Sequence, residues 1–338
     1  MQLIWQPWRP KFEVFCDDPV LRHRNPVVSM TARAALRQMW RCFTPATLLY
    51  APANDQRKVE RADAFGAQAV ILDLEDSVPL NAKDQARLRA SSQLRKMRSD
   101  VLRFVRVNNL ETGFTQEDIE TVLGNDLDGL VYPKIQSNDE LFHVDQVIEE
   151  AEGRLGIPIG ETVLIVLIET SAAVSGADQL LATVPSRLLT VGFGVVDYAL
   201  DMRITLSETY EELSYPRARV ATAARAAGLA NALDGPWVRI TDIDGLRSDT
   251  RRSRSLGFSG RQLIHPSHIE PTRHAYQAIS SEQASHFRRV VLEFESALLS
   301  DHASIQVDGQ LVDYPVYAHA KFVLENPHSF ESMATDEG

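Results

Sequence analysis

The chain has 338 residues, 44% of them hydrophobic, with 35 Lys and Arg against 46 Asp and Glu for a net charge of −11. That length buries one large core or two ordinary ones. The acidic balance argues against nucleic acid or an anionic membrane as partner, while a local basic funnel for an anionic ligand stays compatible with it. No apolar run approaches membrane-spanning length, the opening MQLIWQPWRPKF carries charge and Pro where an export signal would be apolar, and Cys16 and Cys42 make no disulfide framework. A cytoplasmic protein is expected.

Residues 1 to 40 hold Trp5, Trp8 and Trp40 with several prolines and no sustained period, and read as an N-terminal arm. A regular alternation starts at Thr47. LLYAP (48–52) is an apolar run ending on Pro, and 56–65 has helical spacing. AVILDLEDSVP (69–79) is a buried strand followed by three acids, and a polar helix covers 81–96. RFVRVN (103–108), a helix near 116–123, DGLVYPKI (128–135), a helix over 139–152 and TVLIVLIET (162–170) follow. Residues 177–182 are helical, RLLTVGFG (187–194) is the sixth strand, and the stretch through 219–227 is expected to be the longest helical excursion. ANALDGP (230–236), a helix over 243–256 and GRQLIHP (260–266) complete the series. Eight strands alternating with helices predict an α/β fold, a (β/α)8 TIM barrel over 41–276. An open doubly wound sheet is the alternative, weakened by the lack of GxGxxG after the first strand. Residues 277–338, with helical stretches at 282–299 and 316–324, read as a C-terminal helical extension that packs over the barrel or reaches a neighbouring subunit. The final ESMATDEG is expected to be disordered.

Strand ends of such a barrel carry the chemistry. They collect Glu75 and Asp76, Arg106 and Asn108, Lys134, Glu169, Asp197, Asp234 and His265. Asp73, Glu75 and Asp76 are costly to bury without a metal, an Arg or a polar cavity; otherwise Asp76 or Ser77 caps the next helix. Glu169 and Asp197 end consecutive strands about 4.8 Å apart, which suits a hard cation such as Mg²⁺, with Mn²⁺ as a substitute; the competing reading makes both helix caps. Arg106 has the fork geometry for a carboxylate, or else pairs with Glu75 or Asp76 structurally. Lys134 is either a Schiff-base lysine or, more simply, an ion-pair partner. His265 reads as a hydrogen-bonded core residue rather than a base, and Lys83 is a candidate phosphate contact.

AVILDLEDSVP with KDQAR, VRVN, DGLVYPKI, LIVLIET, GFGVVDYALD, ALDGPW, DIDGL, LGFSGRQLIHPSHIEP and the tail element GQLVDYP together resemble the HpcH/HpaI aldolase and citrate lyase β-subunit superfamily, acyl-CoA lyase branch. The resemblance runs from about 48 to 276. It implies a Mg²⁺-dependent carbon–carbon lyase, usually a homotrimer or hexamer, that acts on a β-hydroxyacyl-CoA thioester to give an acyl-CoA and a small 2-oxo acid. It further implies Glu169 and Asp197 as metal ligands, Arg106 as carboxylate binder, Glu75 and Asp76 beside the metal, and Asp313 as proton donor across a subunit boundary. Arg41 is the nearest counterpart of the family's Arg before the first strand and, with Lys83, the expected cofactor contact. Ala53 and Asn54 stand where Gly commonly follows the first strand's Pro, and Gln136, Ala173 and His268 also depart from the usual pattern. Two other functions fit the chain: a CoA-independent metal-dependent 2-oxo acid aldolase, and a catalytically silent barrel serving as scaffold.

Overall fold

The computed structural model describes residues 45–124, 126–277 and 280–325. The expected arm, Arg41 and the ESMATDEG terminus lie outside them. Eight strands, β1 (Thr47–Pro52), β2 (Ala69–Asp73), β3 (Leu102–Arg106), β4 (Gly129–Tyr132), β5 (Val163–Ile168), β6 (Leu188–Phe193), β7 (Leu233–Asp234) and β8 (Gly260–Leu263), pair in parallel in chain order. Thr47, Leu48 and Leu49 pair with Arg261, Gln262 and Leu263, so the sheet closes on itself and the open-sheet alternative falls away.

Ten helices connect and follow the strands: α1 (Gln56–Arg61), α2 (Lys83–Leu94), α3 (Thr115–Val122), α4 (Asn138–Leu155), α5 (Ser171–Ser175), α6 (Ala177–Leu180), α7 (Val195–Asp201), α8 (Ser214–Ala226), α9 (Ile243–Ser255) and α10 (Ile269–Gln277). The starts of α1, α4, α5 and α9 are set by short polar side chains that satisfy exposed amides. Asp55 accepts from Lys58 N at 3.1 Å, Ser137 from Glu140 N at 3.1 Å and Asp242 from Gly245 N at 2.9 Å. The stretch through 219–227 is not the longest helix. It lies in the 13-residue α8, against 18 residues in α4, and Tyr210 with φ of 55° precedes it in a conformation no helix continues.

Strand alternation builds the core. Leu48, Ala69, Ile71, Leu102, Phe104, Val131, Ile165, Leu167, Leu189 and Leu233 form one buried cluster inside the barrel. Gly129 belongs to the same face, where a Cβ would come within 2.6 Å of Phe104 Cε1 and 2.5 Å of Val163 Cγ2. Each inward row continues upward by two residues, from Leu48 to Tyr50, Ile71 to Asp73, Phe104 to Arg106 and Leu167 to Glu169. The row is apolar where the barrel is closed and polar where it opens.

The outward rows of β7 and β8 meet α8 and α9 through charge. Arg217 places Nη1 and Nη2 2.7 and 2.8 Å from the two Asp249 oxygens and Nε 3.0 Å from Asp234, and Arg261 Nη2 reaches Asp234 at 2.5 Å and Asp249 at 2.6 Å. All four side chains are buried.

The chain divides into two compact units at Thr272–Arg273, within α10. The second contains α11 (Ser281–Leu298), a hairpin of β9 (Ile305–Val307) and β10 (Gln310–Val312), and α12 (Tyr314–Glu325). Val290, Phe294, Val307, Val312 and Ala320 are its own small core, with Tyr317 stacked on Phe294 at 5.0 Å. The hairpin turns on Asp308 and Gly309, both at positive φ.

Removing one member of the buried four-residue cluster leaves charge without compensation. Asp249→Ala is expected to lower unfolding stability by about 3–5 kcal/mol in urea titration of the whole chain; a loss below about 1 kcal/mol, the range of exposed pairs, would contradict that reading.

Candidate active site

Arg106 is fixed from three directions. Its Nε and Nη2 donate to Asp73 Oδ1 and Oδ2 at 2.6 and 2.7 Å, its Nη1 lies 2.9 Å from Glu75 Oε2, and its guanidinium sits 4.9 Å from the Tyr50 ring centroid. Burial would raise the Asp73 carboxyl, but Arg106 and Ser77 outweigh it and lower it to about 2. Two of the five guanidinium N–H groups are thereby hydrogen-bonded, both to Asp73, while Glu75 Oε2 meets Nη1 as an ion-pair contact without a hydrogen bond, leaving N–H groups on both terminal nitrogens for a ligand carboxylate. Beneath the stack, Tyr50 OH donates to Gln262 Oε1 at 2.8 Å, and Gln262 Nε2 donates to Phe193 O at 3.2 Å.

The LED turn after β2 is held from below. Lys83 Nζ donates to Leu74 O, Glu75 O and Asn108 Oδ1 at 2.6, 2.7 and 2.7 Å. Asn108 in turn donates to Asp118 at 2.6 Å, and Asp118 accepts from Arg87 Nε at 2.8 Å. Lys83, expected as a cofactor contact, is buried with all three ammonium donors spent on this turn, and its role as placed is to shape the turn. Neither Asp76 nor Ser77 caps a helix: Ser77 Oγ donates to Asp73, and the next helical turn begins at Leu80 without a side-chain cap.

Glu169, just past β5, is 1% exposed and accepts from Lys134 N at 2.6 Å. Gly194 makes this possible, because a Cβ there would lie 2.1 Å from Glu169 Oε2. Burial, Asp197 and Glu75 push the Glu169 carboxyl up to about 8, against the opposing pull of Arg106 and the Lys134 amide. Helix capping does not explain it: Thr170 caps α5, accepting from Ala173 N at 3.2 Å. Asp197 stands half-buried in the first turn of α7 and makes no cap there. Lys134 adopts φ of 53°, a left-handed conformation that costs a non-Gly residue about 1–3 kcal/mol. Its Nζ lies 2.5 Å from Glu75, 3.0 Å from Asp76 and 3.7 Å from Asp197. This is the ion-pair reading of Lys134, not the Schiff-base one: burial opposes the ammonium, but the surrounding acids raise it above its ordinary range, away from a neutral nucleophile.

Glu75, Asp76, Arg106, Glu169 and Asp197 thus converge at one mouth. Asp313 lies in the second unit, where its Oδ1 accepts from Val316 N at 3.4 Å at the start of α12. Asp234 belongs to the outward ion cluster, not to the mouth. His265 accepts from Ser267 N at 3.2 Å and starts a helical turn. Asp73 is expected from the sequence to meet a metal, an Arg or a polar cavity, and it meets Arg106; Tyr50 and Gln262 carry no role in that reading, and counting inward parity from Leu48 finds Tyr50.

Five carboxylates, Asp73, Glu75, Asp76, Glu169 and Asp197, surround the cations Arg106 and Lys134. That anionic excess with oxygen-only donors fits a hard divalent cation. Among the described residues no three His, Cys, Asp or Glu side chains gather into a metal cage; Glu169 and Asp197 are the pair that the family resemblance assigns to such a centre.

The raised carboxyl of Glu169 has a pH signature in chelated protein. Its contribution to stability is fully present below the ordinary carboxylate pKa and is lost as the pH rises through about 8. Glu169→Gln keeps the acceptor for Lys134 N and removes the titration. Its melting temperature is expected to gain on the parent's as the pH rises from about 5 to about 8 and to hold a level lead beyond; a difference independent of pH would contradict the buried, anion-crowded placement.

Residues 46–266 match the sequence profile of the HpcH/HpaI aldolase/citrate lyase family. The chain is 31% identical over 280 residues to the citrate lyase subunit beta of Leuconostoc mesenteroides subsp. cremoris, covering 82% of this chain and 92% of that one. It is 27% identical over 286 residues to the mitochondrial citramalyl-CoA lyase of Homo sapiens, covering 81% and 83%. Among solved structures, the protein CitE from Mycobacterium tuberculosis in complex with magnesium, acetoacetate and coenzyme A aligns with a TM-score of 0.67 at 27% identity, over 85% of this chain and 99% of that one. The closed parallel barrel, the acid and Arg constellation at its mouth and these similarities together make the chain a member of the HpcH/HpaI aldolase/citrate lyase family of carbon–carbon lyases.

Proposed function

We propose that the protein is a Mg²⁺-dependent lyase that cleaves or forms a β-hydroxyacyl-CoA of the malyl-, citramalyl- or citryl-CoA type, interconverting it with an acyl-CoA and a 2-oxo acid. The observation that carries this reading is the buried carboxylate Glu169, with Asp197 beside it, opposite a guanidinium that Asp73 holds by two hydrogen bonds and Glu75 by charge, with N–H groups on both terminal nitrogens to spare. The complex of CitE with magnesium, acetoacetate and coenzyme A, and the name of the human relative, support a thioester substrate over a CoA-free oxo acid.

Glu169 and Asp197 hold the cation, with Mn²⁺ as a substitute. When bound, it polarises the substrate's carbonyl or hydroxyl oxygen and stabilises negative charge there. Arg106 pairs with the oxo-acid carboxylate and sets its orientation. Glu75 and Asp76, tied to Lys134, order water or substrate beside it. In cleavage a water ordered by Glu75 and Asp76 takes the hydroxyl proton as base, the carbon–carbon bond breaks to leave the oxo acid's carbonyl, and the bond's electron pair passes to the thioester α-carbon, which takes up a proton. Asp313 from a neighbouring subunit supplies that proton, the extension from 277 acting as a lid in a homotrimer or hexamer. A cytoplasmic location and a thioester contact at Arg41 belong to the same reading, which rests for them on the family resemblance.

Mass spectrometry of CoA species tests the proposal. The protein is mixed with acetyl- or propionyl-CoA and glyoxylate, pyruvate or oxaloacetate, with Mg²⁺, with chelator and as Glu169→Gln. A new hydroxyacyl-CoA, or its free acid, is expected in at least one Mg²⁺ mixture and in none of the corresponding controls. Product that persists with chelator and in Glu169→Gln would overturn the metal role; no product in any mixture would overturn the lyase reading for these substrates.

A further inference from the structure

The two cations at the mouth are held in different ways. Arg106 is pinned by both Asp73 oxygens, by Glu75 and by the Tyr50 ring, with its side chain 13% exposed. Lys134 is twice as exposed, at 27%, and its ammonium sits on a flexible stem among Glu75, Asp76 and Asp197. Its backbone does a separate job. Following Pro133 in the left-handed region, it turns its N–H onto Glu169 while the side chain reaches Asp197. One residue therefore touches both carboxylates assigned above to the metal, one through the main chain and the other through its charge.

We propose that Lys134 is a positioning residue and a displaceable counter-ion. Its amide fixes Glu169, and its ammonium neutralises the acidic mouth until a divalent cation is taken up, so that Lys134 sets how tightly the metal is held. This rests on the assignment of Glu169 and Asp197 as the metal pair. The charges facing Nζ are Glu75, Asp76 and Asp197; Glu169 faces the amide of the same residue. A positive charge 3.7 Å from Asp197 repels any second cation that shares that carboxylate. Withdrawing the ammonium toward Glu75 and Asp76 relieves the repulsion without moving the backbone that holds Glu169. The consequence is a metal that exchanges readily rather than one sealed in, as befits a cation that meets a chelating substrate.

The test is the Mg²⁺ dissociation constant by calorimetry, with no turnover involved. Lys134→Met removes the charge and keeps another L-residue at the same left-handed position; Lys134→Gln does the same where Met is not tolerated, and Lys134→Arg keeps the charge. Folding of each is checked by its melting curve. The charge-removing variants are expected to bind Mg²⁺ about tenfold or more tightly than the parent, and Lys134→Arg to within about threefold of it. A parent that binds Mg²⁺ and a folded Met or Gln variant that binds it equally or more weakly would overturn the inference and leave the metal assignment standing. A parent that does not bind Mg²⁺ would overturn the metal assignment, and this inference with it. Tighter binding in the variants with no thioester product in the preceding assay would sustain the counter-ion role and count against the lyase reading alone.

Discussion

Arg106 and Asp73 face each other across neighbouring strands at the point where the barrel interior stops being apolar, paired in register and joined by two hydrogen bonds. An isolated charge at that depth would be expensive, and the pair is tolerable because each charge meets the other through two directed hydrogen bonds. Everything at the mouth follows from it. Arg106 orients Glu75, Glu75 draws in Lys134, and the Lys134 amide sets Glu169. Below, Tyr50 and Gln262 close the interior with a polar layer whose hydrogen bonds are satisfied within the barrel. Loss of the Arg106–Asp73 pair would strand a charge and release the whole arrangement.

The site is deliberately out of electrical balance. Burial and two neighbouring acids raise Glu169, while Asp73, equally buried, stays ionised because its cation is already present. Two carboxylates on inward rows, those of β2 and β5, thus differ in kind. Asp73 is a structural anion with its partner supplied by the chain, whereas Glu169 is pushed toward the neutral acid by burial and by neighbouring acids. That contrast separates the scaffold of the site from the part proposed to meet metal and substrate.

Much of this was legible in the sequence. The eight strands lie within one to three residues of their expected limits because β-branched runs and turn residues coincide, and closure followed from their number. The convergence of Glu75, Asp76, Arg106, Glu169 and Asp197 followed from their places at strand ends. Illegible details share a cause: they depend on a single step of register or a single backbone angle. Asp234 falls one residue after the inward Leu233 and so points to the ion cluster outside, a parity that a two-residue strand cannot announce. Thr170 rather than Glu169 caps α5 for the same one-residue reason. Lys134 reaches Glu169 with its amide only because of a positive φ that no composition signal encodes. Lys83 reads from the sequence as a phosphate or cofactor contact on a polar helix, yet its first-turn position sends it inward beneath the LED turn.

The central claim is that Glu169 and Asp197 are the protein's metal ligands, and anomalous diffraction locates the metal most directly. Crystals soaked in Mn²⁺, in place of Mg²⁺, are expected to give one strong anomalous peak between the Glu169 and Asp197 carboxylates, absent in Asp197→Asn crystals. A peak centred on Glu75 and Asp76, with none at Glu169, would contradict the account.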